Sequence, residues 1–369
     1  MKMPGSPRLI LALILSLILS LLLFSLNSLL VCSAQVSPDG WAWMASGTTT
    51  SLRGIWGSSP TDVFAAGGDG TILHYDGNGW SMMESGNDSH FWSLWGTSSS
   101  DVFAVGLGGV IVHYDGSVWS EMESGTEINL RWVWGNSSTD VFVVGDEGII
   151  LRYDGSGWSE MESGTEEDFY CAWGTSTADI FAVGMTGTIV HYDGIEWSPM
   201  DCGNTTNLYG VWGSSPNNVY AVGEYGTFLR YDGSRWNWVG VAPYAVYFHI
   251  FHVWGTSPTD VFLVGSWGLI GHYDGNETKE MVSGISRHLN GVWGASSTDV
   301  FAVGGGGNIL HYYEEPPTPT VEPTATPEPD TSDDASSTWL WPVVGVAGVA
   351  IVVSLVLYDR RTRQTPAGG

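Results

Sequence analysis

The sequence predicts an all-β fold in which seven similar units form a closed ring, and three observations predict it. The dipeptide Trp-Gly occurs seven times, with spacings of 39, 39, 39, 39, 42 and 39 residues. Each unit holds four short runs rich in Val, Ile, Phe, Tyr and Trp, separated by Gly, Asp, Ser and Pro, as strands and tight turns are. Helical periodicity is absent from this region. Four strands per unit of about 40 residues are typical of a seven-bladed β-propeller.

The four strands of a unit follow in order in the first repeat. The runs "LRGIW", "DVFAAG", "TILHY" and "WSMME" are the first to fourth strands. "SSPTD" supplies the turn between the first two, and "YDG" before the fourth is an Asp-Gly hairpin signal, because glycine accepts the positive φ of such turns. The second and third runs are apolar on both faces, which predicts sheets that are packed on both sides.

An unpaired fourth strand at the start of the repeats predicts how the ring closes. The last unit stops after its third strand, at Tyr313. The segment "DGWAWMASG" before the first unit aligns with "DGNGWSMMESG" in the next, and Trp41 precedes Trp80 by 39 residues. We therefore expect the strand at 41–46 to complete the seventh blade and to leave no free sheet edge.

The segments that flank the ring predict a membrane-anchored protein. The N-terminus carries Lys2 and Arg8, then a long apolar stretch and small residues, as a secretory signal does. Near the C-terminus, "WLWPVVGVAGVAIVVSLVLY" is long enough to span a bilayer, and "DRRTR" follows it. The predicted domains are a signal helix at 1–34 that is cleaved or kept as an anchor, the propeller at 35–313, a Pro/Thr/Glu-rich stalk at 314–338, a transmembrane helix at 339–358 and a cytoplasmic tail at 359–369. We expect a single-pass protein of the cell membrane with a monomeric ectodomain.

Charge and motifs exclude several classes of function. Twelve basic residues stand against 39 acidic ones, with a net charge of −27, which argues against a nucleic-acid partner. We find no Ser-His-Asp triad, no metal-ligand spacing and no Gly-rich loop that opens a helix, so we predict no enzyme activity, cofactor or metal. A His or Arg recurs on every third strand, and we interpret it as a structural partner of a nearby Asp. The series is His74, His113, Arg152, His191, Arg230, His272 and His311.

The two faces of the ring differ in how much the units vary. Because strands alternate in direction, the nearly invariant "SSPTD" and "YDG" turns share one face, which we name the invariant face. The turns between second and third strands and the crossings between blades share the other, which we name the variable face. We expect both ends of the propeller on the invariant face. The residue three positions before each Trp-Gly varies, and exposed aromatic residues there favour binding. The candidate binding residues are Trp92, Arg131, Tyr170, Tyr209, Tyr225, Tyr244, Tyr247, Phe248, Phe251 and Trp267.

The repeat, written "WG-x-S-x-x-DVFAVG-x-x-G-x-I-x-x-YDG-x-x-W", resembles secreted prokaryotic seven-bladed propellers. These are similar to the photosystem II stability and assembly factor type and, more distantly, to the Asp-box (BNR) repeats of sialidases. We predict a cell-surface binding or adhesion module that recognises a glycan or an extracellular protein. Two alternatives stay open. One is an extracellular glycan-active hydrolase or lyase of the Asp-box type, which would use acids on the variable face such as Asp146, Glu147 or Glu224. The other is an assembly factor for a membrane protein complex.

Overall fold

The computed structural model describes residues 36–240 and 248–314, which contain seven four-stranded antiparallel sheets. The predicted signal segment, transmembrane helix and tail lie outside the described residues, as does the predicted stalk except for Glu314. In the described part of the chain, no helix is long and apolar enough to cross a membrane. The predicted seven-bladed propeller is confirmed.

The strands of each blade follow one another from the ring axis outward. Blade 1 contains β2 (Leu52–Ser59), β3 (Asp62–Gly67), β4 (Ile72–Tyr75) and β5 (Trp80–Met83). Blade 2 contains β6 (Phe91–Ser98), β7 (Asp101–Gly106), β8 (Ile111–Tyr114) and β9 (Trp119–Met122). Blade 3 contains β10 (Leu130–Ser137), β11 (Asp140–Gly145), β12 (Ile150–Tyr153) and β13 (Trp158–Met161). Blade 4 contains β14 (Phe169–Ser176), β15 (Asp179–Gly184), β16 (Ile189–Tyr192) and β17 (Trp197–Pro199).

The remaining blades have the same layout. Blade 5 contains β18 (Leu208–Ser215), β19 (Asn218–Gly223), β20 (Phe228–Tyr231) and β21 (Trp236–Trp238). Blade 6 contains β22 (Ile250–Ser257), β23 (Asp260–Gly265), β24 (Ile270–Tyr273) and β25 (Thr278–Met281). Blade 7 contains β26 (Leu289–Ser296), β27 (Asp299–Gly304), β28 (Ile309–Tyr313) and, as its outermost strand, β1 (Trp41–Met44). The predicted closure is therefore confirmed, with Trp41 paired to Tyr312.

The hydrophobic core lies between the blades. In the layer between blades 1 and 2, Phe64 and Ile72 pack against Phe91, Val102 and Trp119, and the other six layers repeat this arrangement. Second strands are buried along almost their whole length, as their two-sided apolar pattern predicts. Burying one such phenylalanine stabilises a protein by roughly 1.5–3 kcal/mol, so stacking of the blades is a main source of stability.

Polar contacts that repeat from blade to blade organise the invariant face. His113 Nε2 lies 2.6 Å from Asp101 Oδ1, and five of the six other third-strand residues pair with an Asp in the same way. Arg230 is the exception, because its partner is Asn218. The predicted structural role of this series is confirmed. In the Asp-Gly turn of blade 2, Asp115 Oδ1 accepts hydrogen bonds from the side chain and backbone of Ser117 and from the Val118 N–H, which lower the pKa of Asp115 to about 2.

Both described ends of the propeller lie at the invariant face. β1 begins at Trp41 beside Tyr312, close to where β28 ends. The Glu314 N–H donates to the Thr298 carbonyl, which belongs to the turn between β26 and β27. The variable face therefore carries neither end of the described ring, as the alternation of strands predicts.

Candidate functional site

An open pocket of about 490 Å³ occupies the variable face at the mouth of the central channel. We name it the axial pocket. Its size falls within the roughly 300–1,000 Å³ that is usual for ligand sites. Its lining includes all seven residues that precede a Trp-Gly by three positions: Arg53, Trp92, Arg131, Tyr170, Tyr209, Phe251 and Asn290. Ser51, Trp132, His288 and Gly305 complete the lining.

A β-bulge explains why these seven side chains point to the axis. In each blade, the pairing of the first strand with the second shifts by one residue at this position. In blade 3 the shift lies between Leu130 and Trp132, so that Arg131 is opposite no residue of β11. The same shift occurs in the other six blades. A bulge bends its strand and re-aims a side chain. Every blade therefore directs a position that varies between the repeats into the pocket.

Four of these residues form a continuous aromatic wall, which consists of Trp92, Tyr170, Tyr209 and Phe251. The Arg131 guanidinium bridges the first two, 4.1 Å from the Trp92 ring and 5.6 Å from the Tyr170 ring. The rings of Tyr170 and Tyr209 are 5.4 Å apart, and those of Tyr209 and Phe251 are 5.7 Å apart. Because the rings support one another, the wall presents a fixed apolar surface.

Two carboxylates behind the wall hold it in place. Asp146 accepts hydrogen bonds from Arg131 Nη2 at 3.0 Å and Asn129 Nδ2 at 2.8 Å. The Tyr209 hydroxyl donates to Glu224 Oε1 at 2.8 Å, and both burial and this bond raise the pKa of Tyr209. Neither carboxylate is among the residues that line the pocket. Glu147, the third predicted acid, lines a separate acidic groove on the outer rim, together with Glu160.

Trp132 forms the floor of the axial pocket. Its ring lies 4.8 Å from that of His252, which belongs to the opposite side of the ring. A second cavity of about 240 Å³, lined by both residues, lies below. His252 is buried and its Nδ1 accepts a hydrogen bond from the Val292 N–H at 3.3 Å, while desolvation lowers its pKa to about 4. This neutral pair separates the pocket from the lower channel.

Two strongly exposed aromatic residues, Tyr225 and Trp267, stand at the rim. Each occupies the middle of a one-turn 3-10 helix, with φ of 54° and 59°. Bulky residues rarely adopt positive φ, and such strain often occurs at functional sites. Their N–H groups donate to His249 and His288, and their rings pack against the same two imidazoles.

The structure brings together most of the predicted site residues. Trp92, Arg131, Tyr170, Tyr209 and Phe251 line the pocket, and Tyr225 and Trp267 flank it. Phe248 instead packs on the core cluster that contains Tyr220 and Phe228. Tyr244 and Tyr247 lie outside the described residues.

Sequence reasoning missed Arg53, Asn290, Trp132 and His288 as site residues. Trp132 stands where the other blades have Gly, Ser, Cys or His, so its size marks it within the internal alignment. Arg53 and Asn290 occupy the same repeat position as the wall residues. In residues 36–240 and 248–314, no three His, Cys, Asp or Glu side chains are grouped so that they could hold a metal ion.

Comparison with known proteins identifies the fold. No family model and no curated protein matches the chain. Among solved structures, YCF48 bound to D1 peptide is similar, with a TM-score of 0.64 and 16% identity over 76% of this chain and 98% of that chain. YCF48 from Cyanidioschyzon merolae has a TM-score of 0.61 and 14% identity over 74% and 98%. The WD40 β-propeller domain of Doa1 has a TM-score of 0.61 and 11% identity over 75% and 98%. The predicted resemblance to assembly-factor propellers is thus confirmed at the level of the fold.

Proposed function

We propose that this protein is a membrane-anchored binding module that holds a segment of a partner protein in the axial pocket, outside the cell. The observation that carries the proposal is the convergence of all seven bulge residues on one pocket, where six of them are aromatic or arginine. Aromatic and arginine side chains dominate the binding energy of protein interfaces. The scaffold is otherwise nearly uniform, so the residues that differ between blades are the ones placed to select a partner.

A protein partner is favoured over a glycan by one comparison. A propeller of similar fold was solved with a bound peptide. A binding function is favoured over catalysis by the position of two carboxylates. Asp146 and Glu224 support the aromatic wall and do not line the pocket. The membrane anchor rests on the apolar segment at 339–358. The described chain leaves the ring at Glu314 on the invariant face, and the pocket lies on the variable face.

Cross-linking and co-purification from the native membrane test the proposal. Full-length protein in detergent is compared with a Tyr170→Ala/Phe251→Ala variant and with Ile195→Ala, which removes an 86% exposed apolar side chain from the invariant face. We expect one or more partners that the pocket variant loses by at least tenfold and that Ile195→Ala keeps. Thermal unfolding of each variant checks its fold.

The other readings have distinct outcomes. Equal loss of the co-purified partners in the pocket variant and in Ile195→Ala contradicts the proposal, as does finding the full-length protein wholly in the soluble fraction. Capture of glycans on an array, dependent on Phe251, would favour the glycan alternative. Co-purification with the subunits of one membrane complex would identify the partner as an assembly intermediate.

A further inference from the structure

Arg53 and Arg287 lack an anionic partner, whereas three of the other five basic residues of the described propeller have one. The described residues contain seven Lys and Arg side chains: Arg53, Arg131, Arg152, Arg230, Arg235, Lys279 and Arg287. Arg131, Arg152 and Lys279 form ion pairs with Asp146, Asp140 and Asp274. Arg230 is held by the Asn218 amide. Arg235 stands in an Asp-Gly turn on the invariant face. Within the described part of the chain, Arg53 and Arg287 have no carboxylate within ion-pair distance, in a protein with a net charge of −27.

Arg53 and Arg287 belong to one side of the axial pocket, where blade 7 meets blade 1. Arg53 is the bulge residue of blade 1 and lines the pocket. The Arg287 side chain lies over Gly306, because a Cβ at that glycine would be 3.1 Å from its Nε, and the adjacent Gly305 lines the pocket. Asp69, the carboxylate in the blade 1 turn, lies beside His90 instead, 3.7 Å from its Nδ1.

His288 adds a hydrogen-bond donor to the same side. Its Nδ1 accepts a hydrogen bond from the Trp267 N–H at 3.1 Å, so its proton is on Nε2. Burial lowers the pKa of Arg53 and the nearby Arg131 cation lowers it further, as expected for a guanidinium that has no carboxylate partner. The pocket is thus polarised. Donors without a carboxylate partner lie at the junction of blades 7 and 1, and the rest of the circumference is the aromatic wall with Arg131, whose charge is balanced by Asp146.

We propose that the axial pocket takes an acidic peptide segment, in which a carboxylate binds Arg53 and His288 while a neighbouring apolar side chain packs on the aromatic wall and the Trp132 floor. This inference rests on the proposed function and specifies the chemistry of its partner. A guanidinium and a carboxylate form charge-assisted hydrogen bonds that neutral groups do not replace. Aromatic walls add contact area at low entropic cost. Within one pocket of about 490 Å³, the two features lie close enough for adjacent residues of a single peptide.

A random peptide library selected on immobilised full-length protein tests this inference. We expect the selected peptides to place Asp or Glu beside an aromatic or large aliphatic residue. A synthetic peptide of this kind should bind about 10- to 100-fold more tightly than its Glu→Gln or Asp→Asn form. In Arg53→Gln the difference between the two peptides should shrink to less than threefold, as a double-mutant cycle requires.

Arg235→Gln is the matched control, because it removes the same charge from the invariant face. It should leave both affinities unchanged, and thermal unfolding should show that Arg53→Gln is folded. Selected peptides without acidic residues, or equal effects of the two arginine variants, would overturn the inference. If the selected peptides lack acidic residues but still bind less tightly to Tyr170→Ala/Phe251→Ala, the proposed function stands and only the preference for an acidic peptide is excluded. If no peptide is enriched, or enrichment ignores the pocket variant, the proposed function fails as well.

Discussion

At the scale of single residues, the Trp-Gly pair is explained by a contact between blades. The Trp95 ring covers Gly135 of the next blade, and a Cβ built on Gly135 would lie 2.5 Å from Cη2 of Trp95. The same approach occurs around the ring, with distances of 2.5–3.1 Å at every Trp-Gly glycine. The glycine is therefore required by the tryptophan of the preceding blade, and the two residues recur together because one ring of contacts needs both.

Gly135→Ala should destabilise the propeller by about 1–3 kcal/mol, because the added methyl group forces Trp95 or a strand to move. Chemical denaturation followed by tryptophan fluorescence measures the effect. Gly157→Ala is the control, since a Cβ there meets nothing within 4 Å and its φ is not positive. A denaturation midpoint equal to that of the control would contradict this account of the motif.

At the scale of elements, the ring depends on one strand that is distant in sequence from its blade. Trp41 in β1 is fully buried, with its ring 5.5 Å from that of Tyr312 and 6.4 Å from that of Phe262. Trp43, two residues later, faces outward and is 47% exposed. β1 therefore covers the edge of β28 and fills the layer between blades 6 and 7.

Trp41→Ala should lower the free energy of unfolding by about 3–5 kcal/mol, as expected for a large buried side chain that leaves a cavity. Trp43→Ala should cost less than 1 kcal/mol, because surface substitutions have small effects. Denaturant titration of the two variants provides the comparison. Similar losses of stability would mean that β1 does not seal the core.

The elements were predictable because the seven repeats form an internal alignment. The offset between Trp41 and Trp80 was enough to predict the place of β1. The bulge at Arg131 was not predictable, because it depends on the register between β10 and β11 and leaves no distinct residue pattern. The stack of Trp132 on His252 joins blades 3 and 6. No pattern of neighbouring residues in the sequence predicts a contact between residues so far apart in the chain.

At the scale of the whole molecule, the stack of Trp132 on His252 couples opposite sides of the ring. The two residues are 120 positions apart and meet at the axis. His252 is buried, and the lowering of its pKa from 6.5 to about 4 reflects first the loss of solvent around it. The closure of the channel therefore depends on an imidazole that stays neutral.

This burial makes stability depend on pH in a defined window. In the unfolded chain, His252 binds a proton as the pH falls below 6.5. In the folded chain, it binds that proton only near pH 4. The contribution is thus complete above pH 6.5 and is lost as the pH falls to 4, by at most about 3 kcal/mol. His252→Gln keeps an acceptor for the Val292 N–H but does not titrate, so it should lose less stability over this window. Unfolding free energies near pH 7 and pH 4 measure the difference, and parallel losses in both proteins would exclude this role.

The split blade also bears on how such a chain can change its number of repeats. The unit of 39 residues that recurs in sequence consists of the outer strand of one sheet and the three inner strands of the next, so it is out of phase with the folded blade. A recombination event that adds or deletes one unit therefore still leaves β1 with a three-stranded partner at the other end. A gain or loss of one unit would thus change the number of blades while the ring stays closed by β1.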